Sequence, residues 1–205
     1  MITDRELPAD FLKKLSDLEV SYLAEKDPIR QSGFGGGIQR WRAEREPILD
    51  AVDHSGAFLD VGCANGYLLE CLITWGRERG LSLIPFGMDW SGKLIDLARG
   101  RFPTLHKNFY VGNAWEWKPN RAFPYVYTLY DCVPEEYLEE YIHRLLRCVV
   151  SPAGRLIIGA YSSRSAGVLP FDMASYLKSI GFPITGFSEG GNPPVAKFAW
   201  IDNRE

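Results

Sequence analysis

The sequence lacks the features that mark membrane and secreted proteins. No hydrophobic run approaches the roughly 20 residues that cross a bilayer, and the N-terminus has no signal-peptide pattern. The four cysteines lie in apolar surroundings and have no Cys-x-x-Cys spacing: Cys63, Cys71, Cys132 and Cys148. These absences predict a cytoplasmic protein with reduced thiols, without a disulfide framework and without a metal site.

The chain also lacks any long basic stretch or basic tail. Its 205 residues carry a formal net charge of −3, which argues against a dedicated nucleic-acid-binding surface. Apolar residues make up 46% of the chain, enough to bury a sizeable core, and the length lies within the single-domain range. We therefore expect one domain spanning residues 1–205.

What the sequence does contain is a regular alternation of strand-like and helix-like segments. Strands are predicted at 57–61, 84–88, 108–111, 124–129, 155–160, 183–188 and 195–201. Helices are predicted between them at 66–79, 91–99, 134–149 and 171–180. Pro85 is expected to start its strand, because proline cannot donate to a central ladder. The alternation predicts an α/β, Rossmann-like sheet of seven mostly parallel strands, with helices on both faces and an antiparallel C-terminal hairpin.

The most informative motif follows the first predicted strand, where a turn with two glycines leads into a helix: Asp60-Val61-Gly62-Cys63-Ala64-Asn65-Gly66. Glycine lets the backbone bend sharply and approach a ligand, and the helix N-terminus offers unpaired N–H groups. Ala64 stands where a dinucleotide fingerprint has a second close-approach glycine. The Asp60 carboxylate would repel a pyrophosphate and suits a ligand that carries an ammonium group.

Polar residues also follow the later predicted strands. Asp89, Trp90 and Ser91 come at the end of the second strand, and Asn113, Ala114 and Trp115 come after the third. The fourth strand ends at Leu129-Tyr130. Because open α/β sheets bind ligands at the carboxyl ends of their parallel strands, we expect these residues to converge.

In this order, the segments between residues 57 and 161 resemble the motifs of class I S-adenosylmethionine-dependent methyltransferases. The resemblance implies S-adenosylmethionine as the cofactor, with Asp60 suited to its amino group and Asp89 accepting hydrogen bonds from both ribose hydroxyls. It implies that Asn113 holds the adenine edge, although the family usually has Asp-Ala here. The other cofactor contacts implied are Gly62, Cys63, Ala64, Asn65, Gly66, Trp90, Ser91, Ala114, Trp115, Leu129 and Tyr130.

Each of these polar residues also has an ordinary structural explanation. Asp60 as a turn cap, Asp89 as a helix cap and Asn113 as a turn residue would need no ligand. Their placement at the ends of separate parallel strands favours a cofactor site. A nicotinamide-dependent oxidoreductase is the less favoured class because of Asp60, and cofactor binding without methyl transfer is a further alternative.

Residues 1–53 are predicted to form an N-terminal helical cap or lid on a cofactor-binding core at 54–205. An amphipathic helix at 8–24 requires an apolar surface beneath it. The glycine-rich segment 33–37 lacks the Gly-Lys-Ser/Thr ending of a phosphate loop, and we interpret it as the hinge of a lid in which Phe34 covers the cofactor. A simple linker is the alternative.

The second predicted helix, at 38–52, is expected to kink or restart at Pro47. Its basic residues Arg40, Arg42 and Arg45 are interpreted as a solvated face, with a substrate carboxylate or phosphate as the alternative partner.

The methyl acceptor is less well defined by the sequence. Leu129-Tyr130-Asp131-Cys132-Val133-Pro134 differs from the Asn/Asp-Pro-Pro-Tyr signature of family members that methylate amide or adenine nitrogens. Short connections after the fifth and sixth strands favour a small molecule, methylated on O, N or S, over a protein or RNA. No catalytic base is assigned, because alignment is the main task in this transfer. The candidate substrate contacts are Phe34, Trp41, Asp131, Tyr161 and Arg164.

Overall fold

A computed structural model describes residues 6–162 and 167–204 of the chain. The strands are β1 (Gly56–Val61), β2 (Leu83–Asp89), β3 (Phe109–Val111), β4 (Phe123–Leu129), β5 (Val150–Tyr161), β6 (Gly186–Gly190) and β7 (Ala196–Asp202). They form a seven-stranded sheet in the order β3-β2-β1-β4-β5-β7-β6. Strands β1 to β5 run parallel, and β7 is antiparallel to both β5 and β6. The predicted sheet and its antiparallel C-terminal hairpin are confirmed.

Helices cover both faces of this sheet. They are α1 (Ala9–Leu23), α2 (Ile38–Arg45), α3 (Tyr67–Glu78), α4 (Gly92–Arg101), α5 (Leu138–Cys148) and α6 (Met173–Ser179). Phe58 of β1 packs in one core layer with α2, α3 and α4, while its neighbour Leu59 packs in the opposite layer with α5 and α6. Both side chains are at most 1% exposed, and burial of each contributes about 1.5–3 kcal/mol. Burial on both faces explains why the central strands read as continuous apolar runs.

The described part of the N-terminal segment, residues 6–51, contains a surface helix and a buried segment. Helix α1 has no fully buried residue. The segment from α2 to the 3₁₀ helix Glu46–Ala51 instead contributes Trp41, which is 1% exposed, and Ile48, which is 0% exposed, to the core. The predicted break at Pro47 is confirmed, because α2 ends at Arg45 and the 3₁₀ helix contains the proline near its start.

Several strand boundaries differ from the predictions: β6, for example, is predicted at 183–188 and spans Gly186–Gly190, and the differences at β2 and β5 have a structural explanation. Strand β2 begins at Leu83 and contains Pro85, which β3 does not reach because β3 pairs only with residues 87–89. On the side of β2 that faces β3, the Pro85 carbonyl accepts a hydrogen bond from the Asn108 side chain at 3.0 Å. Among the described strands, none pairs with Pro85 on that side, so the missing proline N–H costs no ladder bond. Strand β5 begins at Val150 because a register shift and a positive φ of 58° at Ala153 accommodate the turn-like residues 151–154 within it.

Within the described ranges, no helix is long and apolar enough to cross a bilayer.

Arg144 of α5 ties the loop after β3 to the body of the protein. Its side chain is buried, and it donates from Nη1 to the Trp117 carbonyl at 2.9 Å and from Nη2 to the Ala114 carbonyl at 2.6 Å.

We expect Arg144→Met to lower the free energy of unfolding by about 1.5–3 kcal/mol, because two charge-assisted hydrogen bonds are lost. Urea unfolding measures the change. Arg147→Met, an exposed position on the same helix, is the matched control, and equal stability of the two variants would contradict the role of Arg144.

Candidate functional site

The candidate site lies where the strand order reverses. The chain moves from β1 to β2 on one side and from β4 to β5 on the other, which leaves a crevice at the carboxyl ends of β1 and β4. A cavity of about 170 Å³ occupies this crevice. Its floor is formed by Gly62, Ala64, Met88, Asp89, Trp90, Ser91, Leu94, Asn113, Ala114, Leu129, Asp131 and Cys132.

The turn after β1 requires its two glycines. Gly62 has a φ of 90° and Gly66 a φ of 74°, both in the left-handed region. A Cβ at Gly62 would lie 3.0 Å from the Cys132 sulfur, and one at Gly66 would lie 3.0 Å from the Ala98 Cβ. Ala64, with a φ of 47°, adopts the same region at a cost of about 1–2 kcal/mol. The strained turn is held in place by a hydrogen bond from the Ala64 N–H to Asp89 Oδ2 at 2.8 Å.

Asp89 is the polar centre of the cavity floor. Its Oδ1 accepts from the Ser91 N–H at 2.9 Å, and its Oδ2 accepts from Ala64. Burial raises the pKa of the Asp89 carboxyl, while these two backbone donors act in the opposite direction. Each carboxylate oxygen has two acceptor positions, so Asp89 retains capacity for two further donors from a ligand.

Asn113 uses its side chain to shape its own loop. Its Oδ1 accepts from the Trp115 N–H at 2.9 Å, and its carbonyl accepts from the Glu116 and Trp117 N–H groups. This turn places Asn113 and Ala114 in the cavity wall and directs Trp115 into the core against Tyr137.

Helix α1 is the cover of the cavity. Its residues Phe11, Lys14, Leu15, Leu18, Glu19 and Tyr22 line the side opposite the floor. Two contacts hold the helix there: an ion pair between Glu19 and Lys93 at 3.2 Å, and a hydrogen bond from the Tyr137 hydroxyl to the Glu6 carbonyl at 3.3 Å. The enclosed space is smaller than the roughly 300 Å³ or more of typical small-molecule sites. Entry of a nucleoside-sized ligand therefore requires α1 to move outward.

Asp60 lies beneath the turn and does not line the cavity. Its side chain is 2% exposed, and among the described residues it makes no hydrogen bond or ion pair. Burial, reinforced by the Asp89 charge, raises its pKa to about 8. The group is therefore mainly neutral at pH 7, which differs from the exposed carboxylate that the sequence interpretation placed against a ligand ammonium.

The remaining predicted cofactor residues support the turn from behind. Cys63 is buried, and Gly66 precedes α3. Asn65 is fully buried, donates to the Pro28 carbonyl and to Gln31 Oε1, and accepts from the Tyr67 N–H. Tyr130 stacks on Phe171 with ring centroids 4.9 Å apart.

The predicted substrate residues are dispersed. Asp131 lines the cavity. Phe34 and Trp41 do not, because they pack edge to face in the core with centroids 5.5 Å apart. Tyr161 is partly buried beside them, and Arg164 lies outside the described residues. The sequence interpretation assigned the covering role to Phe34. The signal for the observed cover was the apolar face of the helix at 8–24, which requires an apolar surface beneath it.

The carboxylates that line the cavity are Glu19, Asp89 and Asp131, and no base is assigned among them. Outside the lining, the Tyr127 and Tyr161 hydroxyls lie 3.0 Å apart, and burial raises the pKa of both, so both are neutral at pH 7. His54, His106 and His143 are exposed. In the part of the chain that the structure describes, no group of three His, Cys, Asp or Glu side chains could hold a metal ion.

Several solved methyltransferase structures have a similar fold. The N-methyltransferase NodS from Bradyrhizobium japonicum WM9, solved with S-adenosyl-L-homocysteine, has a TM-score of 0.68 at 15% identity over 93% of this chain and 98% of that chain. The 1,6-didemethyltoxoflavin-N1-methyltransferase from Burkholderia thailandensis, solved with 1,6-didemethyltoxoflavin and S-adenosylhomocysteine, has a TM-score of 0.66 at 13% identity over 99% of this chain and 94% of that chain.

A third similar chain belongs to the complex between the Haloferax volcanii Trm112 methyltransferase activator and the putative methyltransferase. It has a TM-score of 0.64 at 12% identity over 93% of this chain and 98% of that chain. No protein-family model matches the sequence, and no curated protein matches it either. The similarity therefore lies in the fold: the chain has the fold of class I S-adenosylmethionine-dependent methyltransferases, as the sequence resemblance implied.

The buried Asp60 should make stability depend on pH. The folded-state pKa of about 8 lies above the ordinary value of 3.8, so between these values the folded state holds a proton that the unfolded state has released. Stability therefore falls as pH rises through this interval, by up to about 1.4 kcal/mol per pH unit. Asp60→Asn should remove this part of the dependence and gain stability over the parent between pH 5 and pH 8, as measured by the melting temperature of each protein. Parallel curves for the two proteins would contradict the neutral Asp60.

Proposed function

We propose that the protein is an S-adenosylmethionine-dependent methyltransferase. The observation that supports this best is Asp89: a carboxylate at the end of β2, held by two backbone N–H groups, with free acceptor positions facing the cavity at the switch point of a methyltransferase fold. A carboxylate so placed suits the two hydroxyls of a ribose. The sequence resemblance and the similar solved folds support the same cofactor.

The charges of the cavity also fit this cofactor. The lining contains three carboxylates, Glu19, Asp89 and Asp131, and one cation, Lys14. A net negative lining attracts the ammonium and sulfonium of S-adenosylmethionine and repels the pyrophosphate of a dinucleotide. Met88, Leu94 and Ala114 offer an apolar wall for the adenine ring, with Asn113 beside it.

The bound cofactor would supply an electrophilic methyl group, and the chain's own residues would bind and align. Gly62 lets the backbone approach the ligand closely, Asp89 orients the ribose, and α1 excludes water. A cavity carboxylate such as Asp131 can take a proton from an acceptor that must be deprotonated, whereas a neutral amine or a thiolate needs no base.

The acceptor is proposed to be a small molecule, because α1 closes the crevice and leaves little open surface above it. A toxoflavin precursor, a small heterocycle, is bound in one similar structure. A macromolecular acceptor or an activator protein is the alternative, since another similar chain was solved with an activator. The cytoplasmic location and the division into a cap at 1–53 and a core at 54–205 stay predictions.

Cofactor binding tests the first part of the proposal. S-adenosylhomocysteine should bind at micromolar affinity and raise the melting temperature, because it stabilises the folded state by mass action. Asp89→Ala should weaken binding about 10- to 100-fold through loss of a charged acceptor. Calorimetry measures both affinities, and Asp96→Ala, an exposed carboxylate on α4, is the control that should bind like the parent.

Two further measurements make this test specific. Asp89→Asn keeps an oxygen for only one of the two N–H groups that Asp89 accepts. Weakened binding in this variant is assigned to the lost charge only if its melting temperature matches that of the parent. NADH should not bind measurably. NADH binding in the same range as S-adenosylhomocysteine would favour the oxidoreductase, and unchanged affinity in both Asp89 variants would contradict the assignment of Asp89.

Removal of α1 tests the cover. A chain that begins at Glu25 keeps every residue of the cavity floor and loses one buried core residue, Leu7, with the partly buried Phe11 and Leu12 that pack on the same cluster. Its stability should therefore fall, while the sheet and cofactor binding are retained. Methyl transfer to an accepted small molecule should fall about a hundredfold, because water enters and alignment is lost. Lys13→Ala, on the solvent side of α1, is the control. A truncated chain that transfers methyl groups at the parent rate would show that the acceptor docks on an open face.

A further inference from the structure

Arg45 at the end of α2 is a buried cation surrounded by aromatic rings. It is 7% exposed. Its guanidinium carbon lies 4.0 Å from the ring centroid of Trp41, 4.2 Å from that of Phe34 and 4.5 Å from that of Tyr161. Cation–π contact with these rings stabilises the charge of the buried guanidinium without using its N–H donors.

These donors are not used by the protein. Among the described residues, the Arg45 guanidinium donates no hydrogen bond, and its buried Nη1 has no hydrogen-bond partner. Arg144, another buried arginine, differs in part: it donates to two carbonyls, although its Nε also has no hydrogen-bond partner in the described ranges. An unpaired charged donor in the interior is costly, so the retention of Arg45 indicates a partner outside the described residues.

The local charge is also incompletely balanced. Glu44 lies 3.8 Å from Arg45 Nη1, beyond hydrogen-bond distance, and its other oxygen accepts from Arg40 at 3.2 Å. Glu44 is thus shared by Arg40 and Arg45, and these three side chains together carry a net positive charge. This contrasts with the acidic lining of the neighbouring cavity.

Arg45 adjoins the reaction site. Tyr161, one of the rings around Arg45, is hydrogen-bonded to Tyr127 of β4. Tyr127 lies directly opposite Asp60 of β1 in the sheet. Tyr22 is the residue of α1 that links the two regions, since it lines the cavity. The Tyr22 side chain packs against Gly33, which precedes Phe34, one of the rings that contact Arg45.

We propose that Arg45 binds an anionic group of the methyl acceptor, a carboxylate or a phosphate, through its unpaired N–H donors. This inference rests on the proposed function and names the substrate class: a small molecule with its anion at Arg45 and its nucleophile toward the cavity under α1. The planar fork of an arginine matches both anions in a bidentate geometry. A Cβ added at Gly35 or Gly37 would meet no atom within 4 Å, so there is open space beside the backbone next to Phe34, and access to Arg45 requires Phe34 to move.

Probe anions test the site in the full-length protein, with and without saturating S-adenosylhomocysteine. Benzoate and phenyl phosphate represent the two sources of the anion, and benzamide is the neutral isostere. We expect one of the anions to bind more tightly than benzamide in calorimetry. Arg45→Met should weaken that anion by at least about tenfold, and Arg77→Met, an exposed arginine at the end of α3, should leave it unchanged.

The relative affinities identify the anion and decide the inference. Tighter benzoate binding indicates a carboxylate acceptor, and tighter phenyl phosphate binding indicates a phosphorylated one. Equal binding of benzamide and both anions, or parent-like anion affinity in Arg45→Met, would overturn the inference. If Arg45→Met does not fold, Arg45→Lys decides: it keeps the charge but loses the fork, so affinity should fall severalfold, and unchanged affinity overturns the proposal.

Cofactor binding separates this inference from the proposed function. Asp89→Ala should lose affinity for S-adenosylhomocysteine while it still binds the anion. If the parent does not bind S-adenosylhomocysteine but binds the anion in an Arg45-dependent way, the methyltransferase proposal fails and the anion site stands.

Discussion

The hydrogen bonds that Asp89 accepts from Ala64 and Ser91 determine the shape of the site. One carboxylate joins the turn after β1 to the end of β2, and it thereby holds Ala64 in a backbone conformation that alanine rarely adopts. Without that acceptor, the turn would relax toward an ordinary conformation and the floor of the cavity would change. The residue best suited to bind a ribose is therefore also the residue that keeps the binding surface in shape. Such double use is expected where the positions of ligand-binding groups must be accurate.

The fold was predictable from the sequence because its signals are local. Strands such as β1 and β4 are buried on both faces and appear as short apolar runs, and the glycine turn between β1 and α3 identifies the parallel crossover. Pro85 and the start of β5 were predicted less well for one reason. Their conformations depend on neighbouring strands, since β3 begins beyond Pro85 and the register shift lies between β4 and β5. Sequence periodicity does not contain that information.

The site was predictable only in part. Residues at strand ends, such as Asp89 and Asn113, reach the cavity because the topology brings strand ends together. The positions of Asp60 and Trp41 depend on side-chain direction and packing depth. Asp60 projects beneath the turn, and the indole of Trp41 fills a space between α2 and α3, where its N–H lies 3.3 Å from the Cys71 sulfur. An N-terminal cap was predicted, but its contact with the cofactor was assigned to Phe34, because an amphipathic helix predicts that a partner surface exists without specifying which one.

The side chain of Asn65 has a consequence for how the site opens. It binds the Pro28 carbonyl and the Gln31 side chain, so the chain just after α1 is attached to the glycine turn itself. An outward movement of α1 that kept these two hydrogen bonds would leave the helix tethered beside the cavity, at a high effective concentration for reclosure. Closure would then be intramolecular and independent of protein concentration.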